Sequence, residues 1–237
     1  MRDPLFEVID ATWPAASARE AGGFLVREGL GGGSRVSCAS LETPLEGADI
    51  DAAIDAHRAL GQQPKFIIHP GEEALDAALA DRGFELFDPV VIYDAPLAAL
   101  PAEVPPVTAF AHWPPLAITR EVWTEAEIGP GRQAVAERAP APKAAILGRT
   151  NDRAAGAAFV GIHRGTAMLH ALVVLPEFRR RNVARNIMAE AVRWARAEGA
   201  ERLALVVTRR NEAANALYRA IGMEATCYYH YRRERAE

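Results

Sequence analysis

The sequence predicts an α/β protein built as two related units in tandem, each a mixed, mostly antiparallel sheet flanked by helices. Three observations carry that expectation: apolar runs that switch between strand and helix periodicity, an internal echo between the two halves, and a proline-rich stretch between them. With 237 residues, 50% of them hydrophobic, the chain can bury one large core or two modest ones, so disorder is not the default.

Taken in order, residues 24–28 and 35–41 read as strands joined by the glycine-rich segment 29–34 (GLGGGS). That segment lacks the Lys-Ser/Thr ending of a phosphate loop and reads as a flexible hairpin connection. The second strand runs through Glu42, Thr43 and Pro44 into a helix whose start carries Asp49 and Asp51. A short apolar strand at 66–68, a helix at 72–81, Gly83 and an aromatic strand containing Tyr93 follow. Residues 96–115 hold six prolines, which resist helix and ladder alike, so a linker is expected there, dividing the chain into units 1–101 and 102–237. A proline-rich loop inside one domain is the alternative.

Beyond a helical or looped region at 118–138, the runs 143–149, 155–163 and 166–175 read as three strands, with turns at Asn151-Asp152 and Arg164-Gly165. Residues 183–197 place Ile187, Met188, Ala191, Trp194 and Ala195 on one helical stripe, closed by Gly199. The run 203–208 (LALVVT) suits a strand covered on both faces. Asn211 is a natural N-cap for a helix with Ala214, Leu217, Tyr218 and Ile221 on its stripe and Gly222 just past its end. A strand containing Tyr228, Tyr229 and Tyr231 closes the chain. Residues 53–84 overlay 191–223 with one insertion, matching Gly61 to Gly199 and Gly83 to Gly222. Two separate sheets are expected, and one continuous sheet would count against them.

The net charge of −4, with both signs mixed along the chain, offers no basic footprint for nucleic acid. The two cysteines, Cys38 and Cys227, lack the close Cys/His partners of a metal site and read as reduced thiols, so no metal is expected. No apolar run approaches the roughly 18–20 residues of a membrane span, and acids stand where a signal peptide would be apolar. A cytoplasmic protein is expected, and abundant Arg and Ala beside only two lysines, Lys65 and Lys143, suit a GC-rich bacterial genome.

The informative segment is 173–186 (VVLPEFRRRNVARN), where an apolar strand passes through a proline turn into a basic loop and a helix. The first amides of a helix have no intrahelical acceptors and its dipole favours negative charge, so a pyrophosphate can dock on residues 181–184. Arg179, Arg180 and Arg181 add charge-assisted bonds. Taken alone, such arginines are more often a solvated face.

In this segment the chain resembles the general N-acetyltransferase (GNAT) superfamily, whose pyrophosphate loop reads Arg/Gln-x-x-Gly-x-Gly/Ala. The six positions here are Arg179, Arg180, Arg181, Asn182, Val183 and Ala184. Asn182 replaces the first glycine, and Asn is the best non-glycine substitute in a left-handed backbone. A second signature, Asn-x-x-Ala-x-x-Leu-Tyr and then Gly-Phe, is met by Asn211, Ala214, Leu217, Tyr218 and Gly222, with Met223 in place of the aromatic. The likeness covers about 144–232.

The resemblance implies transfer of an acetyl group from acetyl-CoA to a primary amine by direct attack, the two cysteines lying outside the motifs. It implies that Leu172, Val173 and Val174 hold the pantetheine and thioester, that Asn211 belongs to the cofactor site, and that Tyr218 is the general acid. A core role for Tyr218 and a capping role for Asn211 stand beside those readings. His170 is the first candidate base, placed by strand periodicity on the face of Leu172, with Glu125, Glu127 and Glu137 as runners-up. Trp113 and Trp123 are candidates to line the acceptor site. The first unit lacks the basic loop and has Leu79 where Tyr218 stands, so it reads as a degenerate, non-catalytic copy. A non-enzymatic acyl-CoA-binding module is the rival, motivated by Asn182. The acceptor is a small-molecule amine or a peptide N-terminus, and the sequence does not fix the oligomeric state.

Overall fold

The computed structural model describes residues 3–235. Its first half contributes α1 (Leu5–Thr12), β1 (Ser17–Ala21), β2 (Phe24–Glu28), β3 (Ala39–Leu41), α2 (Ile50–Ala59), β4 (Lys65–Ile68), α3 (Glu73–Asp81) and β5 (Glu85–Pro96). The second contributes β6 (Ala109–His112), α4 (Ala117–Glu125), α5 (Pro130–Arg138), β7 (Lys143–Thr150), β8 (Arg153–His163), β9 (Thr166–Val174), α6 (Val183–Ala197), β10 (Arg202–Thr208), α7 (Glu212–Ala220) and β11 (Glu224–Arg233). The α/β class and the elements expected from 143 onward are those observed. The strand expected at 35–41 is shorter, because Gly33 at φ 92° turns the chain into a 3-10 turn that buries Val36, and only Ala39–Leu41 is extended.

All the described strands join one sheet in the order β1-β2-β3-β4-β11-β5-β10-β9-β8-β7-β6, which corrects the expectation of two sheets. The segments β4-α3-β5 and β10-α7-β11, which echo each other in sequence, are interleaved in it. Were each half closed on itself, β5 would lie beside β4 and β11 beside β10. Instead β5 pairs antiparallel with β10, Tyr93 facing Leu205, while β11 pairs with β4, Tyr231 facing Ile67. The two closing strands also pair with each other, so the halves exchange their last strands. The proline-rich segment is docked rather than free: Leu97 and Leu100 are buried, and Arg196 of α6 donates to both of their carbonyls at 2.5 and 3.2 Å.

The position of α6 matters most for the site. Its apolar stripe buries Val183, Ile187, Met188 and Ala191, about 1.5–3 kcal/mol for each of the larger side chains. The sheet accepts it closely because two strand positions are glycine. A Cβ on Gly148 would stand 2.7 Å from Ile187, and one on Gly156 would stand 2.6 Å from the Val173 carbonyl and 3.1 Å from Val183. Gly156→Ala is therefore expected to cost about 1–3 kcal/mol in urea unfolding by overpacking a site with a backbone wall. At the other side of α6 the buried Glu190 accepts from the Ala111 amide at 2.9 Å and from Arg193 at 2.7 Å, tying edge strand β6 to the helix.

Candidate active site

The parallel pair β9 and β10 stays in register only from Thr166↔Arg202 to Leu169↔Leu205. Past that point β9 keeps β8 as its partner and β10 keeps β5, up to Thr208↔Val90, so the two strands part like a fork. Ala171, at φ 51°, is the pivot. The ladder passes from Phe159↔His170 to Ala157↔Val173, a bulge that inserts one extra residue on β9. Half-buried Leu172, Val173 and Val174 thus edge the fork with backbone that pairs on one side. The bulge also corrects the periodicity argument for His170. Directly opposed residues share a face, so His170 shares one with Val173 and not with Leu172.

From the fork the chain enters the basic turn. Arg180 and Asn182 both adopt left-handed backbone, at φ 63° and 61°, and Asn182 is the N-cap of α6 without capping through its side chain. Asparagine thus supplies the backbone that the missing glycine would have given. The first paired amide is that of Asn186, which donates to the Asn182 carbonyl at 2.9 Å. Among the described residues, no backbone acceptor serves the amides from Arg180 to Arg185, and Arg179, Arg180 and Arg181 are exposed and make no ion pair. Consecutive free amides at a helix N-terminus, ringed by unpaired guanidinium groups, are chemically fitted to a pyrophosphate.

Helix α7 begins at the far prong. Asn211 caps it, its side chain accepting from the Ala214 amide at 3.1 Å. Asn215 is buried and donates to the Thr208 carbonyl at 3.0 Å, which fixes the helix to the end of β10. Its amide oxygen accepts from the Tyr93 hydroxyl at 3.1 Å, and the Tyr93 ring packs 5.7 Å from that of Tyr218. Tyr218 is 5% exposed, yet its hydroxyl has no hydrogen-bond partner among the described residues. Burial raises its pKa, so it stays protonated at neutral pH.

His170 is differently occupied. The Arg35 guanidinium donates to Nδ1 at 2.8 Å, so Nε2 carries the proton and donates to Thr12 Oγ1 at 2.8 Å, whose hydroxyl donates to the Val8 carbonyl at 2.7 Å. Trp13 stacks on the ring with centroids 4.9 Å apart. Burial, and then the Arg35 charge, hold its pKa well below the usual imidazole range. With both nitrogens engaged, His170 has no free site for an amine proton and acts as a strut between β9, α1 and the turn bearing Arg35. Burial also lowers His57, to about 4. Unfolded histidines take protons below about pH 6.5 that these two refuse when folded. Unfolding free energy is therefore expected to hold above pH 6.5 and to fall below it, by up to ~1.4 kcal/mol per pH unit for each histidine, in urea titrations between pH 7.5 and 4.5.

Glu125, Glu127 and Glu137 are exposed, and Glu137 pairs with Arg120 at 2.6 Å. None of the three lines the cavity at the fork. Trp123 is buried, its indole donating to the Ala171 carbonyl at 3.1 Å, so it supports the pivot, while Trp113 lies 4.3 Å beneath the Lys143 ammonium. The cavity itself, about 140 Å³, brings Ala171, Val206, Val207 and Thr208 of the fork against Arg35, Asp88, Arg132 and the glycines at 32 and 33. Sequence reasoning missed this wall, most of it from the first half. Its signals were the glycine run just before Arg35 and a proline, Pro89, inside the run read as a strand.

A sheet with a forked parallel pair in front of a helix N-terminus with free amides is an acyl-CoA N-acyltransferase-like fold. Residues 109–223 match the acetyltransferase (GNAT) family; the protein carries a domain of that family and is an acyltransferase. Along 95% of both chains it is 26% identical to the uncharacterized N-acetyltransferase YobR of Bacillus subtilis (strain 168). The fold matches a GCN5-related N-acetyltransferase from Kribbella flavida with TM-score 0.73 and 16% identity, covering 98% of this chain and 95% of that one. It also matches a tandem GNAT protein from the clavulanic acid biosynthesis pathway, with TM-score 0.63 and 13% identity over 98% and 87% of the two chains.

Proposed function

We propose that the protein is an acetyl-CoA-dependent N-acetyltransferase in which a primary amine attacks the thioester directly. The observation that carries this reading is the fork: β9 and β10 part past Leu169 and Leu205, and β9 leads straight into the unpaired amides of 180–185. Acetyl-CoA supplies the acetyl thioester; the C–N bond forms as the C–S bond breaks, the amine loses a proton and the thiol leaves with one. Arg179, Arg180, Arg181, Val183 and Ala184 would hold the pyrophosphate, with Asn182 shaping the turn. Backbone at Leu172, Val173 and Val174 would carry the pantetheine arm, and a free amide there would donate to the carbonyl oxygen as charge develops on it. Tyr218 would donate to the departing sulfur. Asn211 serves this site by capping the helix that carries Tyr218.

Residues 102–237 form the catalytic unit in this reading, and 1–101 a degenerate copy that lacks the anion turn. The exchanged closing strands and the likeness to a tandem GNAT protein support that division. The test is release of free thiol from acetyl-CoA across a panel of amines and peptides. Acceptor-dependent release is expected, and tight CoA binding without release on any acceptor would overturn the reading.

A further inference from the structure

The cavity at the fork contains more charge than the transfer of an acetyl group to a plain amine requires. Arg35 and Arg132 line it together with a single carboxylate, Asp88. The Arg132 guanidinium makes no hydrogen bond or ion pair with any described residue, yet lies within electrostatic reach of both Arg35 and Asp88. Arg35 is bonded to a neutral imidazole, so its charge is not neutralised there. Asp88 is only loosely paired: Arg210 stands 3.9 Å from its Oδ1, and that buried oxygen accepts no hydrogen bond.

The backbone holds these groups in place at some cost. Asp88, just before Pro89, sits at φ 47° where the β5–β11 register shifts between Tyr229 and Tyr231, a left-handed conformation that stores strain outside glycine. The glycine run locks onto α5. A Cβ on Gly131 would come within 2.7 Å of Gly31, and one on Gly33 within 3.2 Å of Arg132 Nε. Lys65 braces the same turn through Ser34 Oγ at 2.9 Å. Two unneutralised guanidinium groups on one fixed wall fit the planar fork of a carboxylate, and an under-satisfied aspartate fits an amine.

We infer that the acceptor carries a carboxylate beside its amine, a small α-amino acid or an equally short amino carboxylate, with Arg35 and Arg132 holding the carboxylate and Asp88 the amine end. The inference rests on the reading of the fork as an amine-acetylating site. The walls beside these charges, including Val90, Ile128 and Val206, are apolar, so side chains without charge are favoured. The first half of the chain then has a function of its own, since it contributes Arg35 and Asp88 to acceptor recognition.

The test is titration calorimetry on the full chain with saturating free CoA, using amino acids paired with their decarboxylated amines: alanine with ethylamine, leucine with isoamylamine, phenylalanine with phenethylamine. At least one amino acid is expected to bind ten-fold or more tightly than its partner. Arg132→Gln, at an exposed position, should bring that ratio within about two-fold of unity without changing CoA affinity or melting temperature. Asp88→Asn should weaken both members of the pair. Equal or tighter binding of the amines, a ratio untouched by Arg132→Gln, or binding of no amino acid would overturn the inference. Thiol release separates the two claims. Turnover with plain amines alone sinks this one and leaves the acetyltransferase standing, whereas tight amino-acid binding without release leaves the carboxylate-binding wall standing and sinks the acetyltransferase, and with it the amino acid's place as acceptor.

Discussion

Tyr218→Phe is expected to lower kcat roughly 10 to 10³-fold while acetyl-CoA affinity and thermal stability change little. The substitution keeps the ring packed against Tyr93 and removes only a hydroxyl that has no partner among the described residues. Deleting a structural hydroxyl would cost about 1 kcal/mol or more through its lost bond; here there is no such bond to lose. The raised pKa keeps the proton on the phenol before reaction, so in the proposed mechanism Tyr218 would be the donor that stabilises the departing sulfur as its charge grows. The defect should accordingly shrink with thioesters whose thiols are better leaving groups. Unchanged kcat in steady-state assays would remove Tyr218 from the mechanism.

The double variant Arg181→Ala, Asn182→Asp should act on the other half of the reaction. Asp tolerates the left-handed backbone of position 182 about as Asn does, so the turn and the start of α6 should persist. What changes is charge: one guanidinium is lost, and a carboxylate is set among the unpaired amides of the turn. A charge-assisted hydrogen bond contributes about 1.5–3 kcal/mol, so KM for acetyl-CoA should rise on the order of 10²-fold, with kcat within a factor of a few. An equal fall in kcat, with KM unmoved, would mean that the turn does not hold the pyrophosphate.

The parts of this protein legible in its sequence were those set by local chemistry. Helix α6 was readable to the residue because its stripe, its basic turn and Gly199 all act within a few positions of one another. Asn211 was readable as a cap for the same reason, and the left-handed backbone at Asn182 followed from the one residue type that can replace glycine there. The strand exchange was not legible, because β5 and β11 offer similar aromatic edges and sequence alone does not say which neighbour each prefers. The wall of the cavity escaped for a related reason. Arg35, Asp88 and Arg132 lie far apart in the chain, and each is unremarked until the sheet brings them together. His170 shows the limit of periodicity, since one left-handed residue at Ala171 moved it off the face that alternation assigns.

The exchange of closing strands also sets a timetable for synthesis. Strand β5 leaves the ribosome early, but both of its ladder partners, β10 and β11, belong to the second half. About 130 residues separate Pro96 from the start of β11, which at about 5–20 residues per second is on the order of 6 to 26 s of waiting. Until β10 emerges the apolar run at 90–93 (VVIY) has open edges on both sides, and until β11 emerges on one, the kind of surface that recruits other chains. The single sheet cannot be completed until the ten residues of β11 arrive, so a nascent chain stalled anywhere in the second half is exposed to misassembly with its neighbours on the same message.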